Sequence, residues 1–244
     1  MSRASSYPLR LLLAMLLTVF SGLVLGRSVR ADPLPLTLLR NDAGADVTIT
    51  YTNSTPDYPN GFTLNGFAGA MSLQLGTSPP FTGFCVDLAH FVGVGQLFSV
   101  NSYLTNSSTN GLTNGGQVAY LANTYGGLPL TNLQAAGLQI AIWSELYDNG
   151  SGFTSGVFQY TAAANANDPN YSAIAGFASA YLNDAQGNSS VATWYDASPS
   201  GDGQWRGQSM VDPAVPAPPS VILFLMGLSC VAITCGWRRR LLFA

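Results

Sequence analysis

The 244-residue chain has no lysine, a single histidine, three cysteines and only 9% charged residues. An ordinary globular domain carries roughly 25% charge. Each shortage excludes something. One His and three Cys cannot supply a multi-ligand zinc or iron–sulfur site. No basic face exists to neutralise phosphates, so nucleic acid is not an expected partner. Neither paired carboxylates in a recognisable setting nor a Ser–His motif occurs, so the chain is not expected to be an enzyme, and nothing in it calls for a cofactor. What is present is 47% hydrophobic and 11% aromatic residues, with 26 Gly and 14 Pro. That is the composition of a packed body and not of a disordered tail.

Both ends of the chain are apolar. Arg3 and Arg10 precede the run Leu11 to Leu25, and Ser28-Val29-Arg30-Ala31 follows. This is the pattern of a secretory signal peptide cut near Ala31, with an uncleaved anchor as the other reading. At the far end Pro213, Pro216, Pro218 and Pro219 lead into a second run, Val221 to Trp237, closed by Arg238, Arg239 and Arg240. Its length is the short limit for a membrane span, and the arginines set its C-terminus in the cytoplasm. Three parts are therefore expected: 1–31 as signal peptide, 32–212 as exported domain, 213–244 as tail. Residues 32–220 keep all 12 acidic residues against Arg40 and Arg206, a net charge of about −10. Such a body repels anionic surfaces.

The tail resembles the PEP-CTERM sorting signal of Gram-negative exosortase substrates, which joins a proline-bearing motif, a short span and a terminal arginine cluster. The motif here is Val215-Pro216-Ala217-Pro218, with Ala217 where the family has Glu. The resemblance implies an exosortase as processing partner, a transient membrane anchor through the C-terminal helix, and a cell-surface or extracellular-matrix destination.

The body alternates between strand and helix patterns. Val47, Ile49 and Tyr51 share one face of a strand over 46–53, and further strands are expected at Phe62–Phe67, Met71–Leu75, Gly83–Leu88 and Leu97–Asn101. A polar loop covers 102–114. Helices are expected at Gly115–Tyr125, from Thr131 to about Tyr147 with Gln134 completing a capping box, and from Asp168-Pro169 to about Gln186. Strands at Val191–Tyr195 and Gly203–Met210 close the domain. The expected class is α+β: an antiparallel sheet or sandwich with an inserted helical subdomain. Trp194, Tyr195 and Trp205 either stack on sugars or fill the sheet core.

Cys230 and Cys235 lie in the C-terminal span, so Cys85 is the sole cysteine of the exported body and cannot form an internal disulfide there. It is either a small buried hydrophobe or a functional thiol. Alternation over Phe84-Cys85-Val86-Asp87-Leu88 turns Phe84, Val86 and Leu88 to the core and Cys85 and Asp87 the other way. On the helix from Thr131, Ala135, Ala136, Gln139, Ile142, Trp143 and Leu146 form one stripe, with the amide of Gln139 in its middle. A buried amide without partners costs roughly 1–3 kcal/mol. Gln139 is thus bonded to backbone, or its carboxamide carbon has reacted.

The two segments Phe84-Cys85-Val86 and Leu138-Gln139-Ile140-Ala141-Ile142-Trp143 together resemble the thioester domains of bacterial surface adhesins. That resemblance implies an internal Cys85–Gln139 thioester, formed with loss of ammonia, and covalent attachment to an amine or a polysaccharide at a surface. Phe84, Ile142 and Trp143 would wall it from water. Asp87 would act as base or orient the amide, or else cap a nearby loop. The absence of lysine removes the commonest self-target. His90 lies about 17 Å along an extended strand from Cys85 and on the opposite face, so it is expected to be a loop residue. The non-covalent alternative is a structural component of the extracellular matrix, with Cys85 merely buried.

Overall fold

A computed structural model describes residues 33–54, 58–108, 110–197 and 207–213. The expected signal peptide, the first half of the strand at 203–210, Trp205, the sorting motif (Val215, Pro216, Ala217, Pro218), the C-terminal span and Arg238–Arg240 lie outside the described residues. Among the described residues no helix is long and apolar enough to cross a membrane.

Seven strands and three helices make up the described body, in the α+β arrangement expected. The strands are β1 (Leu34–Tyr51), β2 (Phe62–Leu75), β3 (Phe81–Cys85), β4 (Leu97–Leu104), β5 (Phe158–Gln159), β6 (Thr193–Asp196) and β7 (Met210–Asp212). The helices α1 (Gly115–Tyr125), α2 (Asn132–Asp148) and α3 (Tyr171–Ala185) all fall between β4 and β6. Every ladder is antiparallel. The order β2-β3-β7-β6-β4-β1 closes on itself because β1 also pairs with β2. The expectation was an antiparallel sheet or sandwich; the ring closes because β3 and β4 each change partner along their length. β3 pairs with β2 through Phe81–Gly83 and with β7 through Phe84 and Cys85. β4 pairs with β1 through Leu97–Val100 and with β6 through Asn101–Leu104, running past the Asn101 end expected for it.

β1 is longer than its alternating segment. Two register shifts, between Leu38 and Arg40 and between Asn41 and Gly44, break the alternation at 40–44 without ending the strand. Gly44 faces Gly69 across the ladder there. Gly69 has φ +155°, and a Cβ on it would lie 2.3 Å from the Ala43 carbonyl oxygen. A bulge this close demands glycine. On either side of it, Leu36 and Leu38, then Val47 and Ile49, are buried in the core.

α2 begins as its sequence dictates. Thr131 caps it, the Gln134 N–H donates to the Thr131 hydroxyl, and the Thr131 N–H donates to Gln134 Oε1 at 2.9 Å. Asn149 and Gly150, both left-handed, end it. It differs from the expected one-sided stripe: every residue from Ala135 to Leu146 is buried. A helix buried all round lies at the centre of a domain; β1 and β2, α1 and α3 cover its different sides. α3 starts two residues later than expected. The Asp168 carboxylate accepts the Asn170 N–H at 2.8 Å and its carbonyl accepts the Tyr171 N–H, so Pro169 belongs to a turn before the helix. β5 has no signal of its own. It pairs with Thr50 and Tyr51 of β1, and the Asp148 carboxylate holds it by accepting the Val157 and Phe158 N–H groups at 2.7 and 2.8 Å.

Burial of Asp212 on β7 yields a pH prediction. Burial pushes its carboxyl up to about 7, against a hydrogen bond from Tyr195 that pulls it down. A folded-state pKa above the unfolded value means the folded protein holds the extra proton, so stability falls as pH rises from about 4 to 7 and is flat above. Thermal unfolding at pH 5 is expected at a temperature a few degrees above that at pH 8, and Asp212→Asn is expected to remove most of the difference. An unchanged slope in Asp212→Asn would show that other carboxyls set it.

Candidate functional site

The ladder between β3 and β7 sets the position of Cys85, which sits opposite Met210, and the Val86 N–H continues it by donating to the Ser209 carbonyl at 2.9 Å. β3 has cover on both faces. On one side Phe84 reaches toward Gly126 at the end of α1. On the other, Cys85 faces α2. Cys85 is therefore 2% exposed, which corrects the expectation that alternation would turn it away from the core. Alternation assigns a core face only when the other face meets solvent.

Gln139 lies wholly buried on α2 and its amide grips the main chain of Cys85 from both ends. The Cys85 N–H donates to Gln139 Oε1 at 3.0 Å, and Gln139 Nε2 donates to the Cys85 carbonyl at 2.8 Å. The side chain thus imitates a neighbouring strand at a point 54 residues away in sequence. The sulfur has its own contacts. It donates to the Asp87 carbonyl at 2.9 Å and accepts the Asp87 N–H at 3.3 Å. Gln208 Nε2 also donates to that carbonyl, at 3.0 Å. Burial, then the charge of Asp87, push the Cys85 thiol far up, outweighing the Asp87 backbone contact and the nearby Trp143 indole that pull it down. A free Cys85 is a protonated thiol at neutral pH.

The Asp87 carboxylate is engaged elsewhere, as the loop-capping reading expected. Its Oδ1 accepts the Ala89 N–H at 2.9 Å and its Oδ2 pairs with His90 Nδ1 at 2.8 Å. β3 stops at Cys85, so Asp87 does not share a strand face with it, and His90 is the loop residue expected. The loop is pinned again where the Leu88 N–H donates to the Tyr147 hydroxyl at 3.1 Å.

A narrow pocket of about 100 Å³ opens beside Cys85. Its volume suits about three waters or one slim organic arm. Of the residues expected to wall the site, Trp143 does so; Phe84 and Ile142 are fully buried but do not line this pocket. Its walls come largely from β1 and β2: Leu38, Val47, Ile49, Leu64, Phe67 and Met71. Sequence reasoning missed them because they lie outside both segments; only the shared face of Val47 and Ile49 hinted at them. Phe91, half exposed, lines the pocket too, as do the amides of Asn41 and Gln208, and the lining contains no carboxylate or cation. Among the described residues no group of three His, Cys, Asp or Glu is placed to hold a metal ion. Trp194 lies 5.6 Å ring to ring from Tyr103, and Tyr195 is buried against Phe81 at 5.5 Å, so Tyr195 belongs to the sheet core.

Comparison with protein-family models, with curated proteins and with solved structures finds no match to this chain.

Proposed function

We propose that this is an exported cell-surface or extracellular-matrix protein whose body attaches covalently to an amine-bearing partner through a Cys85–Gln139 thioester. One observation carries the proposal: the buried Gln139 amide is held on the main chain of Cys85 by hydrogen bonds of 3.0 and 2.8 Å. Formation breaks the Gln139 Cδ–Nε2 bond and makes a Cδ–Sγ bond. The thiol proton leaves with the nitrogen as ammonia. The Cys85 N–H already donates to Oε1, where negative charge collects in the tetrahedral intermediate, and a donor fixed there lowers the barrier. The small, largely apolar lining of the pocket would slow hydrolysis by limiting how much water reaches the bond. An arriving amine then bonds to Cδ, and the sulfur departs with its proton. The mass of the segment between Arg40 and Arg206, before and after exposure to methylamine, is the test.

Sorting is part of the same proposal, on the sequence of the tail. Expression with and without an exosortase, followed by C-terminal mass mapping, is expected to show the tail removed only when the enzyme is present. An intact Arg238–Arg240 in the exosortase-positive host would refute the sorting reading.

A second reading rests on the same contacts. An amide whose donor and acceptor are both satisfied, beside a thiol kept protonated, also suits a purely structural pair. The protein would then be a non-covalent component of the extracellular polysaccharide matrix.

A further inference from the structure

Trp143 stands one helical turn beyond Gln139 on α2, is 3% exposed, and lines the same pocket as Cys85. Its indole N–H is buried and has no hydrogen-bond partner. Such orphaned donors are rare in folded proteins, and each one calls for an explanation. The ring is held in place, with its centroid 5.7 Å from that of Phe158 at a 59° tilt. It is close enough to the sulfur to pull the thiol's acidity upward, yet not placed to bond it in its protonated form. The sulfur of the resting thiol is already committed to the main chain of Asp87, whose carbonyl accepts its S–H and whose N–H donates to it. A thiol is also a weak acceptor, whereas a thiolate is a strong one.

We propose that the Trp143 indole N–H is the donor that receives the Cys85 sulfur as it departs from Gln139, so that Trp143 stabilises the leaving group and is more than an apolar wall. The inference rests on the thioester reading for its role in attachment. In the step concerned, the amine nitrogen bonds to Gln139 Cδ and the Cδ–Sγ bond breaks. Its electron pair goes to sulfur, where the indole N–H meets the charge, and the proton lost by the amine ends on the sulfur. Donors already oriented toward developing charge in a dry site are worth more than the same contacts in water.

Two substitutions in the full-length protein test this. Trp143→Phe keeps an aromatic ring and loses the N–H. Benzothienylalanine introduced at position 143 keeps the size of indole and also lacks the N–H. Both leave Asp87, His90 and Tyr147, the titratable groups around the sulfur, in place. Methylamine uptake is expected to slow roughly tenfold in both variants, matching the stabilisation that the full thiolate loses with the N–H. The pH midpoint for alkylation of Cys85, measured on the thiol released by methylamine, is expected to rise by about one unit, a tenfold loss of thiolate at a given pH. The rate at the high-pH plateau is expected to stay the same; a change confined to that plateau would mean altered packing and would overturn the inference. So would a benzothienylalanine protein that matches the wild type in uptake and midpoint. If methylamine adds no mass to the wild type, the thioester reading fails by itself. The alkylation midpoint of the untreated thiol then decides the role of Trp143, a rise supporting donation to sulfur and an unchanged midpoint overturning it.

Discussion

Folded protein treated with methylamine, then denatured and digested with trypsin, is expected to yield residues 41–206 about 14 Da heavier than their sequence. The absence of lysine makes the experiment simple. Arg40 and Arg206 are the only tryptic sites between Arg30 and Arg238, so Cys85 and Gln139 fall in one fragment whatever happens at either end of the chain. The untreated fragment, analysed in acid, is expected about 17 Da below its sequence mass, the loss of one ammonia. The added mass should map to Gln139, and Cys85 should become available to thiol reagents only after treatment. Cys85→Ala abolishes the mass deficit and the methylamine adduct. Gln139→Glu fails too, because at neutral pH a carboxylate is a far poorer acyl donor than an amide. A wild-type fragment at plain sequence mass, with Cys85 labelled stoichiometrically from the start, would leave the matrix-protein reading alone.

Stability offers an independent measure. A Cys85–Gln139 bond closes a loop of 54 residues. By the chain-entropy argument used for disulfides, that cross-link is worth about 4 kcal/mol. Opening it with methylamine, or preventing it with Cys85→Ala, is therefore expected to lower the melting temperature by on the order of 10 °C. Without the cross-link Cys85→Ala removes only a small buried side chain and costs about 1 kcal/mol. Gln139→Ala is damaging in either case. It leaves a cavity and strands the buried Cys85 N–H and, where no bond has formed, the Cys85 carbonyl too, at about 1–3 kcal/mol each. Comparable losses for the two variants support the bond; a mild Cys85→Ala beside a severe Gln139→Ala argues for hydrogen bonds alone.

How much of this could be foreseen depends on the range of the forces involved. The ends of α2 are local: Thr131, Gln134 and Asn149-Gly150 act within one turn of the helix, so its boundaries were legible. The pairing of Cys85 with Gln139 was legible only as a resemblance of two short segments. No local property of either segment brings an amide against a strand 54 residues earlier. The direction of the Cys85 side chain was misjudged because alternation presumes one wet face, and here α2 occupies it. The pocket walls were illegible for a related reason. Leu38, Leu64 and Met71 line the pocket beside Cys85 through the long-range pairing of β1 with β2, with its bulge at Gly44 and Gly69. Closure of the ring was equally hidden, since it depends on β3 and β4 switching partners midway.

The place of β7 has a mechanical consequence. This short strand lies between β3 and β6, bonded to both, and Asp212 at its end is followed at once by the proline-rich tail. A load applied through the tail enters the domain along the axis of an interior strand. Both flanking ladders must then shear together, whereas an edge strand would unzip one bond at a time. The first residues to feel that load across the β3 ladder are Phe84 and Cys85. Cys85 passes it to α2 through Gln139. On the proposed thioester reading, the bond to a target would thus lie one strand away from the place where the chain leaves the domain, and the remainder of the domain would carry little of the tension.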